Sequence, residues 1–318
     1  MSDWTRVRVV SISKAAESIL DIRLQAEAGQ RLPATEPGAH IDLRLPNGLI
    51  RQYSVHQYDA ASGIYSLGVG LAEESRGGSA FVHLQLRKDD SLEISAPRNN
   101  FSLDPNARAY LFIAGGIGIT PILSMIRWCD SVGKPWKLQY CVRSRARAAY
   151  LEHLPRGGEL VFHADDEMLG YPDLESFISR ADQSDHVYCC GPSPLMDAVR
   201  SVSLRHLPGS QVHFELFSVP TCADTDRGTD RSFVVELAQS QMELTVPAHK
   251  SILEVLEAAG VLAPFSCREG LCRTCECSVL EGEIEHRDYV LSDEERASNK
   301  VILQCVSRAR SAKLVLDI

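Results

Sequence analysis

Apolar and polar residues change rhythm twice along this chain. From residue 1 to about 104, short apolar runs alternate with Gly, Pro and Asn. Examples are Val7-Arg8-Val9-Val10, His40-Ile41-Asp42-Leu43-Arg44-Leu45 before Pro46-Asn47-Gly48, and Ile64-Tyr65-Ser66-Leu67-Gly68-Val69. Many short strands punctuated by turn residues predict an antiparallel β-barrel over 1–104. From 105 to about 219 the runs become continuous: Tyr110-Leu111-Phe112-Ile113-Ala114, then Leu138-Gln139-Tyr140-Cys141-Val142, and finally Val187-Tyr188-Cys189-Cys190. Buried strands alternating with helical patterns predict a parallel α/β domain. Residues 220–231 are polar and aperiodic, which predicts a linker. The last segment, 232–318, opens with two strands. Ser251-Ile252-Leu253-Glu254 is a capping box heading a helix that stops at Gly260, and Ser292-Asp293-Glu294-Glu295 is a second box. A small α+β domain follows from that pattern.

Composition narrows the function. The 318 residues suffice for two or three cores, and 44% hydrophobic with 24% charged residues is ordinary for a globular protein. A net charge of −9 argues against a nucleic-acid partner. The start, Met1-Ser2-Asp3-Trp4-Thr5-Arg6-Val7-Arg8, has no apolar core of the signal-peptide kind. Ala109 to Ile126 is uncharged over 18 residues, nominally membrane-span length. Gly115, Gly116, Gly118 and Pro121 within it read better as strand, turn and helix, so no membrane association is expected. Ten cysteines without a signal peptide point to a reducing cytoplasm.

Those cysteines carry the sharpest chemistry. Cys267, Cys272 and Cys275 are spaced C-x4-C-x2-C, and Cys305 follows with 29 residues between. This is the plant-type spacing for a [2Fe–2S] cluster, with three ligands from one loop and the fourth from a remote strand, Val301 to Val306. Unrelated buried thiols are one rival. A structural zinc site is another, but its ligands usually come as paired C-x2–4-C knuckles. Cys277, two residues beyond a ligand, reads as packing.

Weaker motifs stand upstream. Ala114-Gly115-Gly116-Ile117-Gly118-Ile119-Thr120-Pro121 follows an apolar strand, with Thr120 placed to cap the next helix and its glycines suited to close approach by a pyrophosphate. The spacing is not the G-x-G-x-x-G of a Rossmann site. Cys190-Gly191-Pro192 puts a thiol at the carboxyl end of a strand, where open α/β sheets bind ligands. Arg51 and Tyr53 share one strand face in Arg51-Gln52-Tyr53-Ser54, offering a cation and a ring. Arg76-Gly77-Gly78-Ser79 precedes a short helical pattern, Ala80 to Leu84, with Ser79 as its cap. Each of these is common by itself.

Together, in this order and at domain-sized spacing, they make the chain resemble the phthalate dioxygenase reductase family, which includes the reductase component of vanillate O-demethylase. The resemblance runs essentially end to end. It implies an FMN-binding barrel, an NAD-binding α/β domain and a C-terminal β-grasp ferredoxin domain. Arg51, Tyr53 and Ser54 would then hold the flavin, Arg76, Gly77, Gly78 and Ser79 its phosphate, and Val69 with Gly70 would offer backbone to the ring. Gly115, Gly116, Gly118, Thr120, Arg143 and Gly191 would face NADH, with Cys190 near its reactive carbon. Phe217, in His213-Phe214-Glu215-Leu216-Phe217, matches the aromatic that stacks on the flavin. Cys190, Phe217 and Thr120 are thus the residues nearest the chemistry.

The implied activity is that of an NADH-dependent iron–sulfur flavoprotein oxidoreductase, the reductase component of a Rieske-type oxygenase system. A protein acceptor is implied: a terminal oxygenase acting on an aromatic or similar small substrate. A cytochrome P450 acceptor and a stand-alone flavin reductase are the alternatives. The chain departs from the pattern at Arg273, where many members have glycine, and the sequence suggests an outward side chain that helps dock the oxygenase. At Cys141-Val142-Arg143-Ser144-Arg145 the acidic residue that would read a ribose diol is absent from position 144, and Arg145 could accommodate a 2′-phosphate. Residues 232–318 carry 9 Lys/Arg against 14 Asp/Glu, and Glu281, Glu283, Glu285, Asp288, Asp293, Glu294 and Glu295 suggest an acidic docking patch.

Overall fold

The computed structural model describes residues 4–27, 29–219 and 231–318, so the expected linker lies, apart from residue 231, outside the described residues. The chain divides into two compact units, Asp3–Phe217 and Ser218–Ile318.

The first unit begins with β1 (Thr5–Ala16), β2 (Ile19–Ala26), β3 (His40–Arg44), β4 (Ile50–Asp59), β5 (Ile64–Gly70), the short helix α1 (Gly78–Leu84) and β6 (Ser91–Ile94). The strands close into a barrel in the order β1-β2-β5-β4-β3-β6, antiparallel throughout. Period-two alternation sends Ile22 and Leu24 of β2, Ile41 and Leu43 of β3, and Tyr65, Leu67 and Val69 of β5 into the interior.

The same unit continues with β7 (Tyr110–Gly115), a 3₁₀ turn at Gly116–Gly118, α2 (Ile119–Val132), β8 (Trp136–Val142), β9 (Glu159–Ala164), α3 (Leu174–Ile178), β10 (His186–Cys190), α4 (Ser193–Ser203) and β11 (Val212–Glu215). The sheet is parallel, in the order β11-β10-β7-β8-β9. Its central strand reads as a continuous apolar run because both faces are covered. Tyr110, Phe112 and Ala114 pack with Ile119, Ile122 and Ile126 of α2, while Leu111 and Ile113 pack with Phe177 of α3 and Val199 of α4. The uncharged stretch 109–126 is therefore β7, a turn and part of α2. Among the described residues no helix is long and apolar enough to cross a membrane.

A buried polar network links the barrel to the α/β sheet. Asp21 of β2 accepts hydrogen bonds from His56 Nε2 of β4 at 2.7 Å and from the Tyr150 hydroxyl, beyond β8, at 3.0 Å. Arg127 of α2 donates to the His56 carbonyl at 2.7 Å and lies 3.2 Å from Nδ1. With Arg127 donating to Nδ1, the consistent tautomer carries its proton on Nε2 and gives it to Asp21. Burial pushes the His56 pKa down and outweighs the nearby carboxylate, so the ring is neutral. Burial pushes Asp21 the other way, but the hydrogen bonds from His56 and Tyr150 bring its carboxyl below the usual range. Tyr150 has φ +60°, and its ring lies 4.6 Å from that of His56. A left-handed conformation in a bulky residue persists only where its surroundings hold it.

The second unit comprises β12 (Phe233–Leu237), β13 (Met242–Val246), α5 (Ile252–Ala258), β14 (Glu276–Glu281), β15 (Ile284–Glu285), α6 (Asp293–Ser298), β16 (Val301–Leu303), β17 (Arg308–Ala309) and β18 (Lys313–Leu316). A mixed sheet in the order β13-β12-β18-β14-β16 is crossed by α5, whose Ile252, Val255 and Leu256 enter the core with Phe233, Val235 and Leu314. Both capping boxes form, Ser251 with Glu254 and Ser292 with Glu295, and Gly260 is left-handed after α5. Cys277 lies in this core, as a packing thiol.

Truncating Asp21 to Ala leaves the buried Tyr150 hydroxyl and His56 Nε2 without their acceptor. Urea unfolding should show a loss of about 3 kcal/mol for the first unit. Because the Asp21 pKa is lowered on folding, its contribution is present above the ordinary value of 3.8 and is lost as pH falls below it. Unchanged stability in Asp21→Ala at neutral pH would show that the network holds nothing together.

Candidate functional site

The carboxyl ends of β7 and β10 run side by side, Ala114 opposite Cys190. The turns that follow interlock. A Cβ on Gly118 would stand 2.2 Å from the Cys190 carbonyl oxygen, one on Gly115 2.5 Å from Pro192, and one on Gly191 2.9 Å from Gly115 Cα. These glycines are required for backbone packing. Gly116 is different: its φ is +53° and nothing lies within 4 Å of where a Cβ would project. It is the glycine whose surface is open to a ligand.

Thr120 does not cap the helix. The 3₁₀ turn carries the chain into α2 with Gly118 at the N-cap, so Thr120 already lies inside the first turn. Its hydroxyl donates to the Ile117 carbonyl at 3.0 Å, and its methyl lies 2.6 Å from the Cβ position of Gly68. Arg143 is also engaged, its guanidinium bonded to Glu73.

Cys190 is 1% exposed, and burial, followed by the charge of Glu215, raises its thiol far above the ordinary value. Glu215 faces Cys190 across the β10–β11 ladder. Its Oε2 is shielded and has no hydrogen-bond partner, and burial pushes the carboxyl up to about 8. Sequence alone points to Phe217 in this stretch and not to Glu215. The signal for Glu215 is an acidic residue set between the apolar Phe214 and Leu216. Phe217, two residues on, is 44% exposed, a large ring left open to a stacking partner.

On the barrel, the two arginine motifs meet. Arg51 donates to the Arg76 carbonyl at 2.9 Å, and a Cβ on Gly78 would strike the Arg51 side chain at 2.6 Å. Burial raises the Tyr53 phenol to about 12 against the opposing charge of Arg51. The Ser54 hydroxyl is buried without a partner. At the end of β5, the Val69 carbonyl lies 2.9 Å from His83 Nε2, and a Cβ on Gly70 would touch Ile117 at 3.4 Å. The helix start corrects one expectation: Gly77 is the N-cap, with φ +86°, and Ser75, not Ser79, accepts from the Ala80 amide at 3.1 Å. Ser79 instead accepts from the Ala72 amide at 3.2 Å and donates to Ser75 at 3.0 Å. A patch with an orphaned hydroxyl, an arginine-lined turn and a glycine that leaves room for the Arg51 side chain fits a flavin and its phosphate.

In the second unit the four cysteine sulfurs come two by two. Cys267 and Cys272 lie close enough for one thiol to stabilise the other's thiolate, as do Cys275 and Cys305. Those contacts lower the Cys272 thiol to about 6 and bring Cys275 below its ordinary value, with burial opposing both. Among the described residues, no three metal-binding side chains converge as on a single ion. The amides of Glu269 and Leu271 point at the Cys267 sulfur from 3.3 and 3.5 Å. Leu253, Leu291 and Leu303 surround Cys275 and Cys305. Two sulfur pairs in an apolar jacket with amide donors fit two bridged irons. Cys305 lies in the turn beyond β16, not on the strand, and the Gln304 amide bonds to the Cys275 carbonyl at 3.2 Å.

Arg273, between Cys272 and Cys275, does not reach outward. It has φ +60°, the backbone conformation that glycine adopts freely, and its guanidinium is held by Glu276 at 2.7 Å and by both Glu295 oxygens. The acidic patch shrinks accordingly. Asp288 is buried, Glu285 pairs with Arg287 and Glu295 with Arg273, which leaves Glu281, Glu283, Asp293 and Glu294 exposed.

Comparison with known proteins agrees with this geometry. Residues 235–310 match the 2Fe-2S iron-sulfur cluster binding domain. The chain is 41% identical to the toluene-4-sulfonate monooxygenase system reductase subunit of Comamonas testosteroni, covering 100% of both chains. It is 37% identical to phthalate dioxygenase reductase of Burkholderia cepacia, over 99% of this chain and 98% of the relative. Among solved structures, a phthalate dioxygenase reductase described as modular for electron transfer from pyridine nucleotides to [2Fe-2S] superposes with TM-score 0.72 at 37% identity, covering 99% of this chain and 98% of that one. An intact type IV self-sufficient cytochrome P450 monooxygenase superposes with TM-score 0.90 at 36% identity, over 99% of this chain and 41% of that one.

Two outcomes are expected. Glu215 holds a proton when folded that the unfolded chain releases above its ordinary 4.5, so wild-type stability falls as pH rises from there to about 8. Melting curves of Glu215→Gln should be flatter across that window; parallel curves would show that the carboxyl is not perturbed. At position 273, Ala keeps the left-handed strain and loses both ion pairs, whereas Gly loses only the pairs. Decay of cluster absorbance under chelator should be fastest in Arg273→Ala, by up to ~5-fold over Arg273→Gly for a strain of ~1 kcal/mol. Equal rates would show that the strain is not felt at the cluster loop.

Proposed function

We propose a function from one premise: this chain belongs to the phthalate dioxygenase reductase family, aligning with its members from end to end. It is the reductase component of a multicomponent oxygenase system, an oxidoreductase that draws electrons from NADH and delivers them to a terminal oxygenase component. Its cofactors are FMN and a [2Fe–2S] cluster. The observation that carries this reading is the pairing of Cys267 with Cys272 and Cys275 with Cys305 in a chain whose β7 and β10 end side by side in glycine turns.

Bound FMN supplies the exchange between the two-electron hydride of NADH and the single electrons a [2Fe–2S] cluster takes. The residues do the rest. We assign Arg51, Tyr53 and Ser54 to the flavin, the Arg76–Ser79 turn to its phosphate, and Phe217 to its ring face. Gly116 offers the pyrophosphate an open backbone, and the Cys190–Glu215 pair lies where the nicotinamide would enter. A neutral thiol and a protonated carboxyl keep that spot free of fixed charge at pH 7. No side chain is needed as nucleophile. Cytoplasmic residence suits a protein that consumes NADH and keeps four ligand thiols reduced.

The relatives are named for systems acting on toluene-4-sulfonate and phthalate, which favours an aromatic or similar small substrate for the partner. A cytochrome P450 partner is the second reading, favoured by the TM-score of 0.90 to the self-sufficient P450 chain. The full-length match to separate reductase subunits weighs for a stand-alone partner protein.

Acceptor choice tests the assignment. In Cys272→Ser, NADH oxidation should persist with ferricyanide, which can drain a flavin, and fall at least ~10-fold with cytochrome c as a one-electron protein acceptor. Undiminished cytochrome c reduction would show that the second unit is not on the electron path.

A further inference from the structure

The sheet turns back on itself at β7, with β8 and β9 on one side and β10 and β11 on the other. In open α/β sheets a dinucleotide lies across such a switch point. Its phosphates meet the first glycine turn, and its adenosine ribose meets the end of the next strand, where a carboxylate commonly reads the 2′-hydroxyl. Here the first turn is Gly115–Gly118 and the next strand is β8. Position 144 beyond it is serine, flanked by Arg143 and Arg145, an arrangement that taken alone welcomes a 2′-phosphate.

The neighbouring strand supplies the missing carboxylates. Ala164 of β9 pairs with Val142 of β8. Beyond that pair, the Asp165 amide bonds to the Val142 carbonyl at 3.0 Å and the Asp166 amide to the Arg143 carbonyl at 3.2 Å. The run Asp165-Asp166-Glu167 is thereby laced along Arg143-Ser144-Arg145. Glu167 grips Arg145 with both oxygens, Nε and Nη2 each donating at 2.7 Å, and the guanidinium lies over the Phe162 ring, 4.6 Å from its centroid. Arg143 is tied to Glu73.

We propose that Glu167 selects NADH over NADPH, by occupying Arg145 and by holding negative charge where a 2′-phosphate would lie. The proposal rests on the NADH-dependent reading above. Arg145 and Glu167 are both partly exposed, at 57% and 41%, so their ion pair is weak and exchangeable. Removing the carboxylate leaves Arg145 supported on Phe162 with its planar fork free for a phosphate.

The test uses purified full-length protein with ferricyanide as acceptor, comparing wild type, Glu167→Gln and Glu167→Gln/Arg145→Ala. Glu167→Gln should raise the ratio of kcat/KM for NADPH to that for NADH by at least ~10-fold, as expected for one charge-assisted bidentate contact, and the second substitution should abolish the gain. Calorimetric titration with 2′,5′-ADP and with 5′-AMP should show the same change of preference without turnover. A ratio unmoved by Glu167→Gln, or a gain that survives loss of Arg145, overturns the proposal. Wild-type protein that does not oxidise NADH would overturn the reading beneath it as well, and that result is distinct from an unmoved ratio.

Discussion

Two glycine turns touch backbone to backbone at the carboxyl ends of β7 and β10, and the proposed nucleotide site depends on that contact. No side chain fits at Gly118, where the Cys190 carbonyl occupies the Cβ position, or at Gly115, where Pro192 does. The close approach lets neighbouring parallel strands end in turns of different sequence yet present Cys190 and Gly116 together. It also determines what lies beside them. β11 follows β10 in register and delivers Glu215 next to the thiol, and Phe217 leaves the sheet two residues later. The barrel approaches the same turn through Gly68 and Gly70, against Thr120 and Ile117. The Asp21–His56–Tyr150–Arg127 network, which is buried and internally satisfied, holds the barrel to the sheet behind that contact.

The cluster unit solves a different problem. Four sulfurs must stay close although, as thiolates, they repel, and a low dielectric makes that repulsion severe. Amide donors, an apolar wall and a tightly held loop supply the answer. The loop is fixed from outside by Arg273, whose ion pairs with Glu276 and Glu295 span β14 and the cap of α6. An arginine in a conformation glycine would adopt more easily is thus retained for its side chain. The same pairing withdraws charge from the surface, so the exposed acidity is narrower than the composition suggests.

The architecture was legible because periodicity reports burial directly. Alternation in β2, β3 and β5, the unbroken apolar run of β7, and the two Ser–Glu capping boxes each map onto an element. The cysteine set was legible from spacing. What the sequence concealed are contacts between segments. Thr120 looked like a cap because the 3₁₀ turn that shifts the helix start by two residues leaves no mark in composition. Ser75 and Ser79 exchanged roles for a similar reason, since Gly77 in the left-handed region decides which hydroxyl reaches the helix amides. Glu215 and Glu167 acquire meaning only from the neighbouring strand, which lies 25 or so residues away in the chain. Sequence suggests an outward, docking Arg273 because its partners, Glu276 and Glu295, cannot be placed around it before the fold is known.

The central claim is that electrons taken from NADH in the first unit reach the cysteine set of the second. Anaerobic titration of the purified protein with NADH, followed by visible absorbance and low-temperature electron paramagnetic resonance, tests it most directly. The account predicts bleaching of the flavin bands together with a rhombic [2Fe–2S] signal. Flavin bleaching with no such signal would contradict it and leave a plain flavin reductase.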